Sequence, residues 1–276
     1  MKSFLRSWYC SFILLVPLIL LSSPAHSFDR QTSVIADYYG SELDEFVHPT
    51  LDSYELKKLI ERFENKNRKV LGYTTAKKYL FGKLFLKKVG NDYIVPDLYC
   101  NKDLHSKYGA KVGPMMIPPN GLINCEHTWP QSRFNPSLSK AKQKSDLHHL
   151  FPTDSKANGI RGNYPFAEVR GKIAYTSCDA SLIGKPLDPA PDMTQRARFF
   201  QPPRSHRGNV ARALFYFSVL YHLPIDEPEE SYLRRWNRED PVDADEARIN
   251  GMIMEIQGNR NPFVDFPTLS EHISDF

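Results

Sequence analysis

The sequence predicts an α+β fold: a mixed, mainly helical single domain in which a few short strands carry the polar motifs. Apolar residues recur at helical spacing along one face of residues 52–64. Residues 209–223 are apolar nearly all round, which is typical of a helix in the core. Residues 122–127, LINCEH, have the apolar start and the turn-rich flanks of a short strand. Helices therefore outnumber strands, and the pattern does not indicate which strands pair.

Caps and breakers predict the other elements of the first half. Asp52 suits the N-cap of the first helix, because its carboxylate can accept a free backbone N–H. Residues 74–85 predict a second helix, and residues 91–100 predict a short strand and a turn. Residues 113–121 are predicted to be a loop, since their three prolines cannot sit in regular ladders.

The second half is predicted in the same way. Residues 152–162 predict a loop that leads into a short helix, which a glycine ends. Residues 176–207 contain five prolines and are predicted to be mostly irregular. Residues 240–263 open with a helix, for which Pro241 suits the first position and Gly258 the end.

The N-terminus predicts a secretory signal peptide over residues 1–27. Lys2 and Arg6 precede an apolar run at 12–21, and a small-x-small pattern follows it. Removal of these two positive charges lowers the formal net charge from +4 to +2, so a nucleic-acid partner would need a local basic patch. No other stretch is apolar enough to cross a membrane. We therefore expect one domain over 28–276, monomeric and either periplasmic or secreted.

Three cysteines follow the predicted leader: Cys100, Cys125 and Cys178. An exported chain favours disulfides, but three cysteines form at most one internal bond, and the sequence does not choose the pair. A zinc site built from all three thiolates is disfavoured, because no CxxC occurs among them.

Two polar clusters are candidates for chemistry. The predicted strand at 122–127 ends in Glu126 and His127, whose side chains would point to opposite faces within a regular strand. They can serve one site only where the chain turns, and Pro130 makes a bend there plausible. The second cluster is DLHHLFPTDSKANGIRGN, and each of its polar residues taken alone is more often structural than catalytic.

Together the clusters contain the parts of a one-metal phosphodiesterase. Glu126 and Asn158 offer oxygen ligands, which suit Mg²⁺. A neutral His127 beside the metal could take a proton from water and so make a nucleophile. Arg133 and Arg161 are candidates for holding a phosphate through their fork of donors.

Four blocks resemble, in order, the signature blocks of the bacterial endonuclease I family. They are NCEHTWPQSRF, DLHHLFPTDSKANGIRGNYPF, RGNVARALFYFSVLY and EIQGNRNPFVDFP. That family comprises exported or periplasmic nonspecific nucleases with a ββα-metal, or His-Me finger, site. With the helices before them, the blocks cover roughly residues 50–267, nearly all of the predicted mature chain.

The resemblance implies a role for each matching position. His127 matches the general base, and Glu126 and Asn158 match the two protein ligands of one magnesium ion, for which Mn²⁺ could substitute. The family geometry ends the strand at the Glu-His pair, so both side chains can address one phosphate. In the family, an arginine between the Glu-His block and the DLH block contacts the scissile phosphate. Here the only arginine in that interval is Arg133. The candidate substrate-binding residues are therefore Arg133, Arg161 and Lys142.

The predicted function is an exported magnesium-dependent endonuclease that cleaves DNA without sequence specificity, with RNA left open as a second substrate. One alternative is an exported ribonuclease with little DNA activity, in which attack by the 2′-OH would leave Glu126 and Asn158 without a purpose. Another is a DNA-binding protein whose site has decayed, although all three central residue types are present. A zinc hydrolase is disfavoured, because no HExxH occurs and the ligands are rich in oxygen.

Overall fold

The computed structural model describes residues 33–189 and 197–276. The chain divides into two compact units, residues 1–40 and 41–276. The predicted signal peptide at 1–27 lies outside the described residues, and in the first unit residues 33–39 are helical. Within the described ranges, none of the helices has both the length and the apolar character that a membrane span requires.

The second unit mixes helices with short antiparallel strands, so the predicted α+β class is confirmed. Its α-helices are α1 (Leu43–Val47), α2 (Ser53–Lys66), α3 (Tyr73–Tyr79), α4 (Lys140–Lys144), α5 (Ser155–Arg161), α6 (Arg207–Tyr221), α7 (Glu229–Glu239), α8 (Ala244–Gln257) and α9 (Pro262–Asp265). Its strands are β1 (Lys87–Val89), β2 (Asp92–Asp97), β3 (Lys102–His105), β4 (Ile123–His127), β5 (Leu150–Asp154), β6 (Val169–Tyr175), β7 (Cys178–Pro186) and β8 (Phe199–Gln201).

The described strands form three small sheets, ordered β1-β2-β3, β4-β5 and β6-β7-β8. Every pairing between these strands is antiparallel. The middle sheet has only two strands, and α5 begins at the residue after β5. The outer sheets therefore flank a compact strand-strand-helix unit in the chain order.

Helix α6 supports this unit from the core. It is buried along nearly its whole length, as its apolar sequence predicts. The Phe217 ring of α6 stacks on Trp129 at 5.5 Å and on Phe134 at 5.7 Å, measured between ring centroids. The ring of His149 lies 4.2 Å from the same phenylalanine. Both ends of the connection between β4 and β5 thus pack on one core side chain.

Helix ends agree with the sequence at α2 and differ at α8. The Asp52 carboxylate caps α2 by accepting the backbone N–H of Glu55 at 2.9 Å. Gly258 ends α8 with a φ of +88°, a left-handed conformation that glycine adopts without a steric penalty. The prediction that Pro241 opens α8 is wrong. Asp243 is the N-cap instead, since its carboxylate can accept a free N–H of the first turn, that of Glu246.

Two segments predicted to lack regular structure contain strands. Residues 176–207 include β7 and β8, because their prolines bound the strands instead of interrupting them: Pro186 is the last residue of β7. Pro152 lies within β5, where its carbonyl accepts the backbone N–H of Leu98 at 3.1 Å.

Candidate active site

The candidate site is built on β4, β5 and α5. Strand β4 ends at His127, as predicted, and its register places Glu126 opposite Phe151 and His127 opposite Leu150. The Asp154 carboxylate caps α5 by accepting the N–H of Ala157 at 2.8 Å. Because β5 pairs with β4 and α5 begins at the residue after β5, the last residues of β4 and the middle of α5 line a common space.

Glu126, His127 and Asn158 line one open pocket of about 240 Å³. Cys125, Pro130, Gln131, Ser132, Gly162 and Asn163 complete its lining. The structure thus brings together the three residues to which the sequence assigned the central chemistry.

The two carboxylate oxygens of Glu126 have different surroundings. Its side chain is only 2% exposed, and Oε1 accepts hydrogen bonds from the Tyr99 hydroxyl at 2.7 Å and from Arg161 at 3.0 Å. Oε2 accepts no hydrogen bond from any residue in 33–189 or 197–276. Burial raises the pKa of the Glu126 carboxyl, and the Arg161 charge and the Tyr99 hydroxyl offset only part of that rise.

His127 is held in one tautomer. Its Nε2 lies 3.1 Å from the backbone carbonyl oxygen of Lys144, which can only accept, so Nε2 carries the proton. Nδ1 then has a lone pair, which accepts a hydrogen bond from the side-chain Nε2 of Gln131 at 3.3 Å. Burial lowers the pKa of His127 to about 4, although the Lys144 carbonyl opposes the shift. The imidazole is therefore neutral near pH 7 and able to accept a proton at Nδ1.

The Asn158 side chain lines the pocket. Its Nδ2 donates to the Oδ1 of Asn124 at 2.7 Å, and this fixes the orientation of the Asn158 amide. The Nδ2 of Asn124 in turn reaches the Ser155 hydroxyl at 3.2 Å. Within the described part of the chain, the Asn158 oxygen accepts no hydrogen bond. Glu126 Oε2 and Asn158 Oδ1, two hard oxygen atoms without a hydrogen-bond donor in the described residues, thus belong to side chains that line one pocket, and this donor set fits Mg²⁺.

A separate group in the described residues, Asp97, Cys100 and Asp154, has its potential ligand atoms within 4.8 Å of one another. Its chemistry does not fit a metal. Cys100 forms a disulfide with Cys178, so its sulfur is not a thiolate. The Oδ1 of Asp97 accepts the backbone N–H groups of Tyr99 at 3.0 Å, Cys100 at 3.3 Å and Asp154 at 2.7 Å. This carboxylate joins the loop that carries Tyr99 to the start of α5.

The three predicted substrate-binding side chains do not line the pocket. Arg161 is 1% exposed and donates to Glu126 and to the carbonyl oxygens of His127 and Thr128. It therefore faces the interior, where it positions the carboxylate. Arg133 and Lys142 are also engaged elsewhere. Arg133 lies over the Trp129 ring and 3.5 Å from Glu229, and Lys142 donates to Asn65 at 2.6 Å.

Other polar residues of the second cluster are structural. Asp146 is fully buried and pairs with Arg68 at 2.8 Å, and it accepts hydrogen bonds from the hydroxyls of Tyr216 and Tyr221. His148 contacts the carbonyl oxygen of Asn259 through Nε2 at 3.1 Å. His149 contacts that of Gln143 at 2.9 Å. These bonds brace the segment that enters β5.

Sequence reasoning missed Tyr99, Asn124 and Gln131. Asn124 could have been found, because strand alternation places it on the same face as Glu126. Gln131 lies four residues after His127, in the turn that Pro130 begins. Tyr99 comes from the loop after β2, and nothing in the local sequence connects it with Glu126.

A two-stranded finger followed by a helix, with glutamate, histidine and asparagine facing one pocket, defines the ββα finger class of site. The sequence profile of one family in this class, Endonuclease I, matches residues 52–268. The chain belongs to the Endonuclease I family, and the resemblance inferred from the four sequence blocks is confirmed.

Individual relatives have nuclease names. An extracellular ribonuclease of Bacillus amyloliquefaciens is 32% identical over 186 residues, which are 61% of this chain and 56% of the relative. A periplasmic deoxyribonuclease of Aeromonas hydrophila is 34% identical over 126 residues, which are 45% of this chain and 48% of the relative. Endonuclease-1 of Buchnera aphidicola subsp. Acyrthosiphon pisum is 30% identical over 122 residues, 44% of each chain. The chain thus spans about half the length of these curated relatives.

Proposed function

We propose that this chain is an exported endonuclease that hydrolyses phosphodiester bonds of DNA, and of RNA as a second substrate, without sequence specificity. The observation that carries the proposal is the single pocket lined by Glu126, His127 and Asn158. Membership of the Endonuclease I family supports it, as do the names of the relatives, which include both deoxyribonucleases and ribonucleases.

One Mg²⁺ ion is the proposed cofactor, held by Glu126 Oε2 and Asn158 Oδ1, and Mn²⁺ could replace it. An ion held there would supply positive charge that offsets the negative charge of the phosphate oxygens. Glu126 supplies negative charge, and the Asn158 amide adds an oxygen without further charge. Tyr99 and Arg161 hold Oε1 of the carboxylate, which directs its second oxygen toward the pocket.

His127 acts in this proposal as the general base. Nδ1 takes a proton from water while the water oxygen attacks phosphorus, and the phosphorus–oxygen bond to the leaving group breaks. The Lys144 carbonyl fixes the ring through Nε2–H and stabilises the imidazolium that forms. The Gln131 amide has to leave Nδ1 before water can occupy that position, so Gln131 marks the place of the nucleophile.

Plasmid degradation with and without a chelator tests the proposal. We expect cleavage in Mg²⁺ to stop with EDTA, and His127→Ala to lower kcat by about 10²–10⁴-fold, which is the usual contribution of a general base. His48→Ala is the matched control, because His48 is exposed. Circular dichroism shows whether both variants fold. Undiminished cleavage by a folded His127→Ala protein would remove His127 as the base.

A ribonuclease with little DNA activity is the second candidate, since two relatives are named extracellular ribonuclease. Initial rates on matched DNA and RNA strands, with and without EDTA, separate the two candidates. RNA cleavage that persists in EDTA would favour attack by the 2′-OH and would leave the pocket oxygens without a role. Binding without hydrolysis in Mg²⁺ or Mn²⁺ would favour a DNA-binding protein with a decayed site.

Export is part of the proposal and rests on the first 27 residues and on relatives named extracellular or periplasmic. Intact-mass analysis of the protein expressed in a Gram-negative host checks it. We expect the mature protein to begin near residue 28, to appear in the periplasm or the medium, and to be monomeric. Full-length protein confined to the cytosol would contradict this part alone.

A further inference from the structure

We propose that Tyr73, Lys77 and Lys144 form a second anion site, the Tyr73 site, which binds a nucleic-acid phosphate next to the one that is cleaved. This inference rests on the proposed function, because it names how the same active site holds the strand. The Tyr73 site involves none of the three residues that the sequence proposed for substrate binding.

The two lysines converge on one aromatic ring. The Lys77 ammonium lies 4.9 Å from the centroid of the Tyr73 ring, and the Lys144 ammonium lies 4.4 Å from the same centroid. Tyr73 and Lys77 belong to α3, whereas Lys144 is the last residue of α4. The fold therefore brings two positive charges from separate helices to one place, where the ring face attracts both.

Neither ammonium group is neutralised by the protein. Among residues 33–189 and 197–276, no carboxylate lies within 4.0 Å of Lys77 or Lys144. Other lysines of the same region do have such partners: Lys87 lies 2.8 Å from Asp245, and Lys83 lies 4.0 Å from Glu255. Two positive charges near one half-buried ring would both attract an anion bound beside that ring.

The Tyr73 site lies directly beside the candidate base. The rings of Tyr73 and His127 are 5.5 Å apart between centroids, and the backbone carbonyl of Lys144 accepts the Nε2–H of His127. The Tyr73 hydroxyl also shares a hydrogen bond with the Cys125 thiol, and Cys125 lines the pocket.

The chemistry of the Tyr73 site fits a phosphate in a sequence-independent contact. Ammonium groups act as point charges with rotatable donors, so they hold a phosphate without reading a base edge. A contact of this kind contributes to affinity through release of counterions, and that contribution depends on salt. The arrangement therefore suits an enzyme that binds a backbone phosphate next to the bond it cleaves.

The first experiment measures binding without cleavage. Fluorescence anisotropy of a fluorescein-labelled duplex in EDTA gives Kd over a series of salt concentrations. We expect the Lys77→Gln/Lys144→Gln double variant to reduce the slope of log Kd against log salt by about 0.9, the value for one phosphate contact on duplex DNA. Lys78→Gln is the matched control, because Lys78 is exposed on the same helix. An unchanged slope in the double variant would overturn the proposal.

The second experiment separates the neighbouring phosphate from the reacting one. Bis(p-nitrophenyl) phosphate has a scissile phosphate and no neighbour, whereas DNA has both. We expect the double variant to lose about tenfold more kcat/KM on DNA than on the small diester, mainly through KM, as for loss of a charged hydrogen bond. Equal losses on both substrates would place the lysines at the reacting phosphate and would overturn the Tyr73 site.

Failure of the proposed function would look different from failure of the Tyr73 site. A wild-type protein that binds the duplex but never hydrolyses it would remove the catalytic proposal, while the salt slope of the double variant would still decide the anion site. A wild-type protein that cleaves DNA normally, with an unchanged slope in the double variant, would remove the anion site alone.

Discussion

At the scale of single residues, the two carboxylate oxygens of Glu126 have different tasks: one is held by the protein, and the other is available for the proposed metal. Oε1 is held by Tyr99 and Arg161 inside the protein, and Oε2 is left to the pocket. Asn158 is divided in the same way, because its Nδ2 is held by Asn124. Each oxygen that faces the pocket is oriented by a partner bonded to the other atom of the same group.

Tyr99→Phe tests this division. Loss of the hydroxyl removes one of two donors to Oε1, so the carboxylate can rotate. We expect Mn²⁺ affinity, measured by calorimetry without substrate, to weaken about tenfold, as is typical for loss of a residue that orients a metal ligand. The free energy of unfolding should fall by about 1 kcal/mol. Tyr108→Phe is the control, because the Tyr108 side chain is exposed. Unchanged Mn²⁺ affinity would mean that Arg161 alone orients Glu126.

Local signals in the sequence predicted the central residues, whereas their partners depend on distant parts of the chain. The Glu126-His127 pair and Asn158 lie within motifs that a short window contains. Arg161 has the sequence features of a surface cation, yet it is buried because carbonyl groups of the β4 end accept its donors. Tyr99 reaches Glu126 across 27 residues of chain, a contact that no local pattern specifies.

At the scale of elements, the middle sheet and α5 form a local unit, but their support is not local. This support comes from the loop after β2 and from β7. The Cys100–Cys178 disulfide joins these two segments across 78 residues of chain. The sequence could not choose this pair among three cysteines. It also predicted mostly irregular structure over 176–207, where the structure has β7. Pairing of strands is set by cross-strand packing, which the prolines in that stretch do not reveal.

Removal of the disulfide tests that support. The Cys100→Ser/Cys178→Ser variant should lose about 4 kcal/mol of unfolding free energy, because the unfolded chain regains the freedom of a long loop. Urea unfolding measures the loss. Reductant should cause a similar loss in the wild type and none in the double variant. A reduced wild type as stable as the oxidised protein would contradict the expectation.

At the scale of the whole molecule, buried ionisable groups make stability depend on pH in opposite directions. Burial lowers the pKa of His206 to about 3 and that of His148 to about 4. Burial also raises the pKa values of the carboxyls of Glu64 and Glu229. Acid therefore destabilises the fold through the histidines and stabilises it through the glutamates, so a single group has to be isolated by substitution.

His206→Gln isolates one such contribution. The unfolded chain protonates this histidine below a pKa of about 6.5, whereas the folded chain stays neutral down to about 3, so acid favours unfolding across that window. Between pH 7 and pH 5 we expect the wild type to lose about 2 kcal/mol more unfolding free energy than the variant does. Urea titrations at each pH measure the difference. Parallel pH profiles would show that His206 is not neutral in the fold.

The Asp97 carboxylate has a consequence for how the molecule opens. It accepts the N–H groups of Tyr99 and Cys100 on one side and of Asp154 on the other. One acceptor therefore joins two segments: the loop that holds Tyr99 against Glu126, and the start of α5, which carries Asn158. Neither segment can detach alone without breaking a bond to Asp97. In amide hydrogen exchange the two would behave as one cooperative unit, so the site would be either assembled or dismantled, with few half-formed states between.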